Sequence, residues 1–125
     1  PWINPNSQVY QQANAGFQKA HNRYLDTNSA YAYAGVQVIA DVLERAGSTD
    51  PEKILAATRQ TNFNDHPLVG GPIQFDEKGD NTGALTALVQ VQPDDDLLKR
   101  VKIVAPKEFA QSDKIIFPAP QLWER

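Results

Sequence analysis

The chain has 125 residues, which is enough for one ordinary domain and too few for two. Hydrophobic residues make up 41% of it and charged residues 22%, a composition that excludes a collagen, a coiled coil and a disordered acidic tail. Its apolar runs last only a few residues, far short of the roughly 20 that a membrane-spanning helix needs. We therefore predict a globular chain without a transmembrane helix.

The charge distribution argues against a nucleic-acid partner. Twelve lysines and arginines stand against fifteen aspartates and glutamates, which leaves a net charge of −3. A phosphate-binding surface needs a cationic stripe, whereas the basic residues here are scattered singly among acids. Cysteine is absent, so disulfides, a thiolate nucleophile and a cysteine-ligated zinc are excluded, but this absence does not identify the compartment.

The chain contains no methionine and begins with Pro1. Because a translated protein starts with methionine, we expect either that processing removed a leader or that the chain is the tail of something longer. No signal peptide is visible to decide between these alternatives.

Apolar residues at spacings of three and four predict two long helices in the first part of the chain. The first covers about residues 7–25, with Ser7 as a plausible N-cap. The second follows a short break at 26–28 and ends where Gly47 is suited to a left-handed C-cap. Its apolar positions cover much of its circumference, so we expect it to be buried on more than one side.

A third helix is predicted to run to about Arg59, with two alternative N-terminal caps. Thr49 and Glu52 have the spacing of a capping box. Alternatively, Asp50 caps the helix and Pro51 occupies the first helical position.

The second half of the chain has the pattern of short antiparallel strands. In chain order we predict a polar loop at 62–71, an extended segment at 72–76, a hairpin connection at 77–83, and strands at 84–92 and 101–105. These strands are too few to cover the second helix. Burial of its apolar faces therefore requires a further segment or an oligomer.

The polar residues show no catalytic or metal-binding motif. His21 lies beside the apolar stripe of the first helix and is expected to be partly buried, whereas His66 precedes a proline in a polar loop and is expected to be solvated. The segment 76–81 fails the calcium-loop pattern, so we predict a hairpin turn in which Gly79 has a positive φ. No serine lies in a nucleophile elbow and no glycine-rich loop suits a phosphate, so we predict no enzyme, no metal and no cofactor.

The start of the second helix carries an aromatic cluster. Tyr31 and Tyr33 stand there beside Asn28 and Ser29. Such rings can line a small-molecule cleft, where helix N-terminal amides favour a carboxylate. The alternative is that both tyrosines pack in an interhelical core, which the pattern alone favours.

Several segments, taken together, resemble one known family. They are AGVQVIADVLERAGSTDPEKI at 34–54, GPIQFDEKGDN at 71–81, VQVQ at 89–92, WINP at 2–5 and FPAPQLWER at 117–125. This ordered set is similar to the C-terminal third of periplasmic solute-binding proteins of the branched-chain amino acid class, which serve ATP-binding-cassette (ABC) importers. The resemblance covers nearly the whole chain.

The resemblance implies an α/β fold, namely a C-terminal fragment of the two-lobed type I periplasmic-binding-protein fold, incomplete as an isolated chain. Residues 1–6 would form a hinge crossover and 7–76 the helical part of the first lobe. Residues 77–83 would form another crossover, and 84–125 the strands and C-terminal tail of the second lobe. Most of both central sheets would come from upstream sequence.

The resemblance also implies one ligand-contact segment. The family's aromatic contact falls at about Ala30, and a shift by one residue would place Tyr31 there instead. An alanine in place of a large ring departs from the family and permits a bulkier ligand, such as an aromatic acid. Trp2 either borders the cleft or packs in the hinge. With Asn28, these residues are the candidate ligand contacts.

The implied function is that of an extracytoplasmic solute-binding protein that binds an amino-acid-like or aromatic carboxylate ligand between two hinged lobes. Its expected partners are an ABC permease in the inner membrane and the missing N-terminal part of the same protein. Its expected location is the periplasm, or the outer surface through a lipid anchor. Alternatives are a ligand-sensing protein with the same fold, an enzyme that the motif search disfavours, and a functionless proteolytic remnant.

Overall fold

The computed structural model describes residues 3–95 and 100–119. The chain divides after Leu85 into a helical unit, Trp2–Leu85, and a smaller strand unit, Thr86–Arg125. The described residues contain three α-helices and a two-stranded antiparallel sheet, which confirms the predicted α/β class.

Helix α1 spans Gln8–His21. The Ser7 hydroxyl accepts a hydrogen bond from the Tyr10 amide at 3.3 Å, so the predicted N-cap is confirmed. The helix ends four residues before the predicted Leu25, because Asn22 adopts the left-handed conformation with φ 51°. Its amide donates to the carbonyl of Gln18 at 2.8 Å and closes the last turn.

Helix α2 spans Thr27–Ala46, with Asp26 as its N-cap and Gly47, at φ 56°, as the predicted left-handed C-cap. Only three of its 20 residues are buried, and they are Ala30, Ala34 and Val42. The side chains of Val36 and Ile39 are 67% and 59% exposed. The sequence predicted that α2 is covered on several sides and that the strands of this chain are too few to cover it. Within the helical unit, α2 indeed lacks that cover. Among the described residues no helix combines the length and apolar character needed to cross a membrane.

Helix α3 spans Pro51–Arg59. The carboxylate of Asp50 accepts hydrogen bonds from the amides of Glu52 and Lys53 at 3.1 and 3.2 Å, which decides between the two predicted caps in favour of Asp50. Pro51 stands in the first turn, where no amide hydrogen is needed.

The guanidinium of Arg45 joins the end of α2 to α3. It donates to the carbonyl of Ala57 at 2.6 Å and to the hydroxyl of Thr61 at 3.0 Å. It also pairs with the carboxylate of Asp41 at 2.7 Å, one turn earlier on α2. These contacts hold the two helices in a fixed arrangement at one end.

The core of the helical unit lies where α1, α2 and the following loop meet. It consists of a buried cluster of Leu25, Ala30, Ala34 and Leu68, against which Ile3, Tyr10, Ala13 and Phe17 pack. Isolated antiparallel bridges shape the loop, at Ile3–Leu68, Phe63–Ile73, Gly70–Ala84 and Phe75–Asn81. The predicted turn follows, with Gly79 at φ 88° and the Asp76 carboxylate accepting the amides of Lys78 and Asp80, each at 2.9 Å.

Both histidine predictions were wrong. His66 is buried, with only 8% of its surface exposed, because its ring bonds the loop around it. Its Nδ1 accepts from the amide of Leu68 at 3.2 Å, so the proton is on Nε2, which donates to the carbonyl of Gly71 at 3.0 Å. His21 is exposed and packs against Phe17, with 4.5 Å between ring centroids and the rings tilted by 48°.

The strand unit pairs β1, Leu88–Val91, with β2, Val101–Ala105. The second strand has the predicted bounds, whereas the first is shorter than the predicted 84–92. Ala84 at the start of that prediction instead forms a bridge with Gly70 in the helical unit. Gln90 holds the C-terminal segment by donating to the carbonyl of Ile116 at 2.8 Å and accepting its amide at 2.9 Å.

Candidate functional site

The N-terminus of α2, where a ligand carboxylate was considered, already holds a carboxylate of the chain. One oxygen of Asp26 accepts the Ser29 amide at 3.0 Å, and the other accepts the Ser29 hydroxyl at 3.1 Å. The second oxygen also pairs with Arg23 at 3.0 Å. The hydrogen bond from the Ser29 amide is the main cause that lowers the pKa of Asp26, and Ser29 Oγ and Arg23 add to it. A ligand carboxylate would have to displace Asp26 to bind this amide.

The predicted ligand contacts at this helix start differ in accessibility. Ala30 has no exposed surface and belongs to the core cluster. Tyr31, the next residue, is 44% exposed, and its partial burial raises the pKa of its hydroxyl. Asn28 is exposed as well. Asn28 and Tyr31 can therefore reach a ligand in this conformation, whereas Ala30 cannot, and Trp2 lies outside the described residues.

An apolar groove runs between α2 and α3. It encloses about 380 Å³ and is lined mainly by Val38, Ile39, Val42, Leu43, Ile54 and Phe75. Elsewhere on α2, the amide oxygen of Gln37 is buried without a hydrogen-bond partner among the described residues. The wide apolar face of α2 predicted such a surface, but only the fold shows that α3 and Phe75 form its other side.

A charged cavity, which we call the Arg59 cavity, opens at the end of α3. Its volume is about 420 Å³, and it is lined by Arg59, Phe75, Asp76 and Glu77. The pattern of 76–81 predicted a hairpin turn and gave no indication of this site. No local signal could have found it, because Arg59 is brought to Glu77 by the bridged loop between them.

The described residues contain no group of three or more histidine, cysteine, aspartate or glutamate side chains that could hold a metal ion. The carboxylate of Asp76 is instead used by the turn, where it accepts the amides of Lys78 and Asp80.

Residues 1–96 match the family model described as periplasmic binding protein. The chain therefore belongs to the periplasmic binding protein family, and the resemblance inferred from its sequence is confirmed. Its three helices and antiparallel strand pair are consistent with part of that family's fold.

One relative carries a description of what it binds. Over 49 residues the chain is 47% identical to the leucine-, isoleucine-, valine-, threonine-, and alanine-binding protein of Pseudomonas aeruginosa. The matched stretch is 39% of this chain but only 12% of that protein, so the similarity concerns a small part of the relative.

Proposed function

We propose that this chain is part of an extracytoplasmic solute-binding protein that delivers a small ligand to an ABC permease in the inner membrane. The observation that carries the proposal is the family match over residues 1–96. Two hinged lobes close over the ligand, and the extra contacts of the closed state provide the affinity. The function is binding and release, and it involves no catalysed reaction. The protein acts in the periplasm or is held outside the cell by a lipid anchor.

The proposed ligand is a small amino-acid-like or aromatic carboxylate. Tyr31 offers it an accessible ring at the start of α2, and Asn28 offers an amide. Because Asp26 occupies the Ser29 amide, the ligand carboxylate is bound elsewhere in the protein, and Tyr31 contacts the ligand's apolar part.

The proposed lobes follow the boundaries expected from the sequence. Residues 7–76 contribute helices to the first lobe and 84–125 contribute strands to the second. Residues 1–6 and 77–83 cross between them. In support, the chain divides into two units after Leu85, just beyond the second of these crossovers.

The N-terminal part of the same protein is the proposed cover of the apolar groove between α2 and α3. The groove is lined by six apolar side chains, and exposed Val36 and Ile39 extend this surface along α2. Burial of such a surface contributes roughly 25 cal/mol for each Å² removed from water.

Intact and native mass spectrometry of the purified protein tests the arrangement. We expect a second polypeptide of roughly twice this length to accompany the chain, as a two-lobed protein of this class requires. A thermal-shift screen with leucine, phenylalanine and benzoate then tests the ligand class. The Tyr31→Ala variant should lose most of the ligand-induced rise in melting temperature, and the matched Tyr33→Ala variant should keep it.

Three results would contradict the proposal. The first is a single 13.8 kDa species that binds no compound of the panel. The second is chemical conversion of a bound compound, which would indicate an enzyme. The third is tight binding without any stimulation of import in cells, which would favour the ligand-sensing alternative.

A further inference from the structure

The Arg59 cavity combines opposite charges that do not pair with each other. Arg59 and Glu77 line the same space, yet no nitrogen of Arg59 lies within 4.0 Å of a carboxylate oxygen among the described residues. Among the residues that the structure describes, neither side chain makes a hydrogen bond. The cavity thus contains a guanidinium and a carboxylate that do not form an ion pair. Its volume of about 420 Å³ lies in the range of small-molecule sites.

Asp76 adds a second negative charge. Its Oδ1 accepts the amides of Lys78 and Asp80, so the carboxylate is held in place by the turn that follows it. The other oxygen of Asp76 makes none of these bonds and is available to a ligand. The cavity therefore presents one positive and two negative groups, and of these the Asp76 carboxylate is held in place by the turn.

Phe75 connects the charges to apolar surface. It lines both the Arg59 cavity and the groove between α2 and α3. An aliphatic chain can lie against this ring, and a cation near the ring face gains further attraction. The complementary ligand thus has one carboxylate, two cationic groups and an aliphatic stem between them.

From this arrangement we infer that the Arg59 cavity is a binding site for a basic α-amino acid or a close analogue. The ligand carboxylate pairs with Arg59, and its two cationic groups pair with Glu77 and Asp76. Its stem packs on Phe75. This site differs from the ligand contact proposed at Tyr31, because it uses the end of α3 and the turn after Phe75 and needs no residue from the start of α2.

Titration of the protein with L-lysine, followed by heteronuclear NMR, tests the inference. We expect concentration-dependent shifts at Arg59, Phe75, Asp76 and Glu77. Two matched compounds separate the interactions: norleucine lacks the side-chain amine of lysine, and cadaverine lacks its carboxylate. Each should bind about fivefold more weakly than lysine, which is the effect of losing one solvent-accessible ion pair.

Two variants assign the charges. Arg59→Gln should weaken lysine about fivefold and should not weaken cadaverine, because cadaverine has no carboxylate for Arg59 to bind and its two positive charges are repelled by the arginine. Glu77→Gln should weaken both compounds. Glu44→Gln, an exposed change elsewhere on α2, should alter neither, and Tyr31→Ala should leave lysine binding intact. The spectra report at the same time that each variant is folded.

The inference is overturned if norleucine binds as tightly as lysine, or if Arg59→Gln leaves the affinity for lysine unchanged. It is also overturned if the shifts fall at Asn28 and Tyr31, because lysine would then occupy the site proposed above. If the site proposed at Tyr31 is wrong, Tyr31→Ala will not change the rise in melting temperature caused by leucine, phenylalanine or benzoate. That result does not depend on lysine binding, so the two failures are distinguishable.

Discussion

The imidazole Nδ1 of His66 accepts a hydrogen bond from the amide of Leu68, two residues later, at 3.2 Å. The ring thus caps the loop that carries Leu68 into the core cluster, and its other nitrogen donates to the carbonyl of Gly71. The sequence predicted that His66 is solvated, but its ring is buried and makes hydrogen bonds to two main-chain groups of this loop.

His66→Ala should destabilise the protein by about 2 kcal/mol, because a buried amide and carbonyl lose their partner. Urea unfolding measures this change in the free energy of unfolding. His21→Ala is the matched control, since His21 is exposed, and it should change stability by less than about 0.5 kcal/mol. Equal effects of the two substitutions would refute the structural role of His66, as would an NMR signal for a proton on Nδ1.

The lowered pKa of Asp26 predicts a pH-dependent contribution to stability. Its folded pKa lies below the ordinary 3.8, so the charged carboxylate stabilises the protein above about pH 4. This contribution is lost as the pH falls through the lower folded pKa. Asp26→Asn keeps a capping oxygen but removes the charge, so its melting temperature should be below wild type at pH 7 and converge with it near pH 2. A gap that stays constant over this range would contradict the prediction.

Gly83 allows two backbone segments to approach closely. A Cβ added there would overlap the carbonyl oxygen of Pro72, so Gly83→Ala should cost at least about 2 kcal/mol of stability. Gly16→Ala provides an opposite control, because nothing lies within 4 Å of that position and α1 gains a better helix former. It should stabilise the protein by about 0.5–1 kcal/mol. Thermal unfolding measures the change in stability of each variant. If both variants were stabilised, or both destabilised, the result would be inconsistent with this packing.

Arg45 and Arg59 offer a matched pair of arginines. Arg45→Gln removes the bonds to Ala57 and Thr61, so we expect a loss of about 1–2 kcal/mol in the free energy of unfolding. Arg59→Gln should leave stability unchanged, because Arg59 has no ion pair among the described residues. Chemical denaturation of the two variants measures the difference. A larger loss for Arg59→Gln would show that its charge is used within the fold.

Three helix caps could be predicted, Asp50 as one of two alternatives, because they depend on neighbours in sequence, whereas the Asp26 cap of α2 was not predicted. Ser7, Asp50 and Gly47 act at the positions that their side chains or backbone freedom favour. The end of α1 was missed because Asn22, and not a glycine, adopts the left-handed conformation there. The signal was present, since asparagine tolerates that conformation better than most residues.

Of the candidate ligand contacts, the sequence identified the helix start but not which side chains are accessible. Ala30 and Tyr31 are adjacent, and a helix turns by about 100° between them. One is therefore buried in the core while the other stays half exposed. Which of the two faces inward depends on where α1 and Leu68 lie, and that information is not local.

By itself, the sequence determined the family, the α/β class and the positions of the three helices. Hydrophobic spacing and capping groups act over a few residues, so they can be recognised without the fold. Only the tertiary structure decided the burial of His66, the Arg59 cavity and the attachment of Ile116 to Gln90. Each of these joins residues through chain reversals, and side-chain hydrogen bonds across such reversals leave no periodic trace in the sequence.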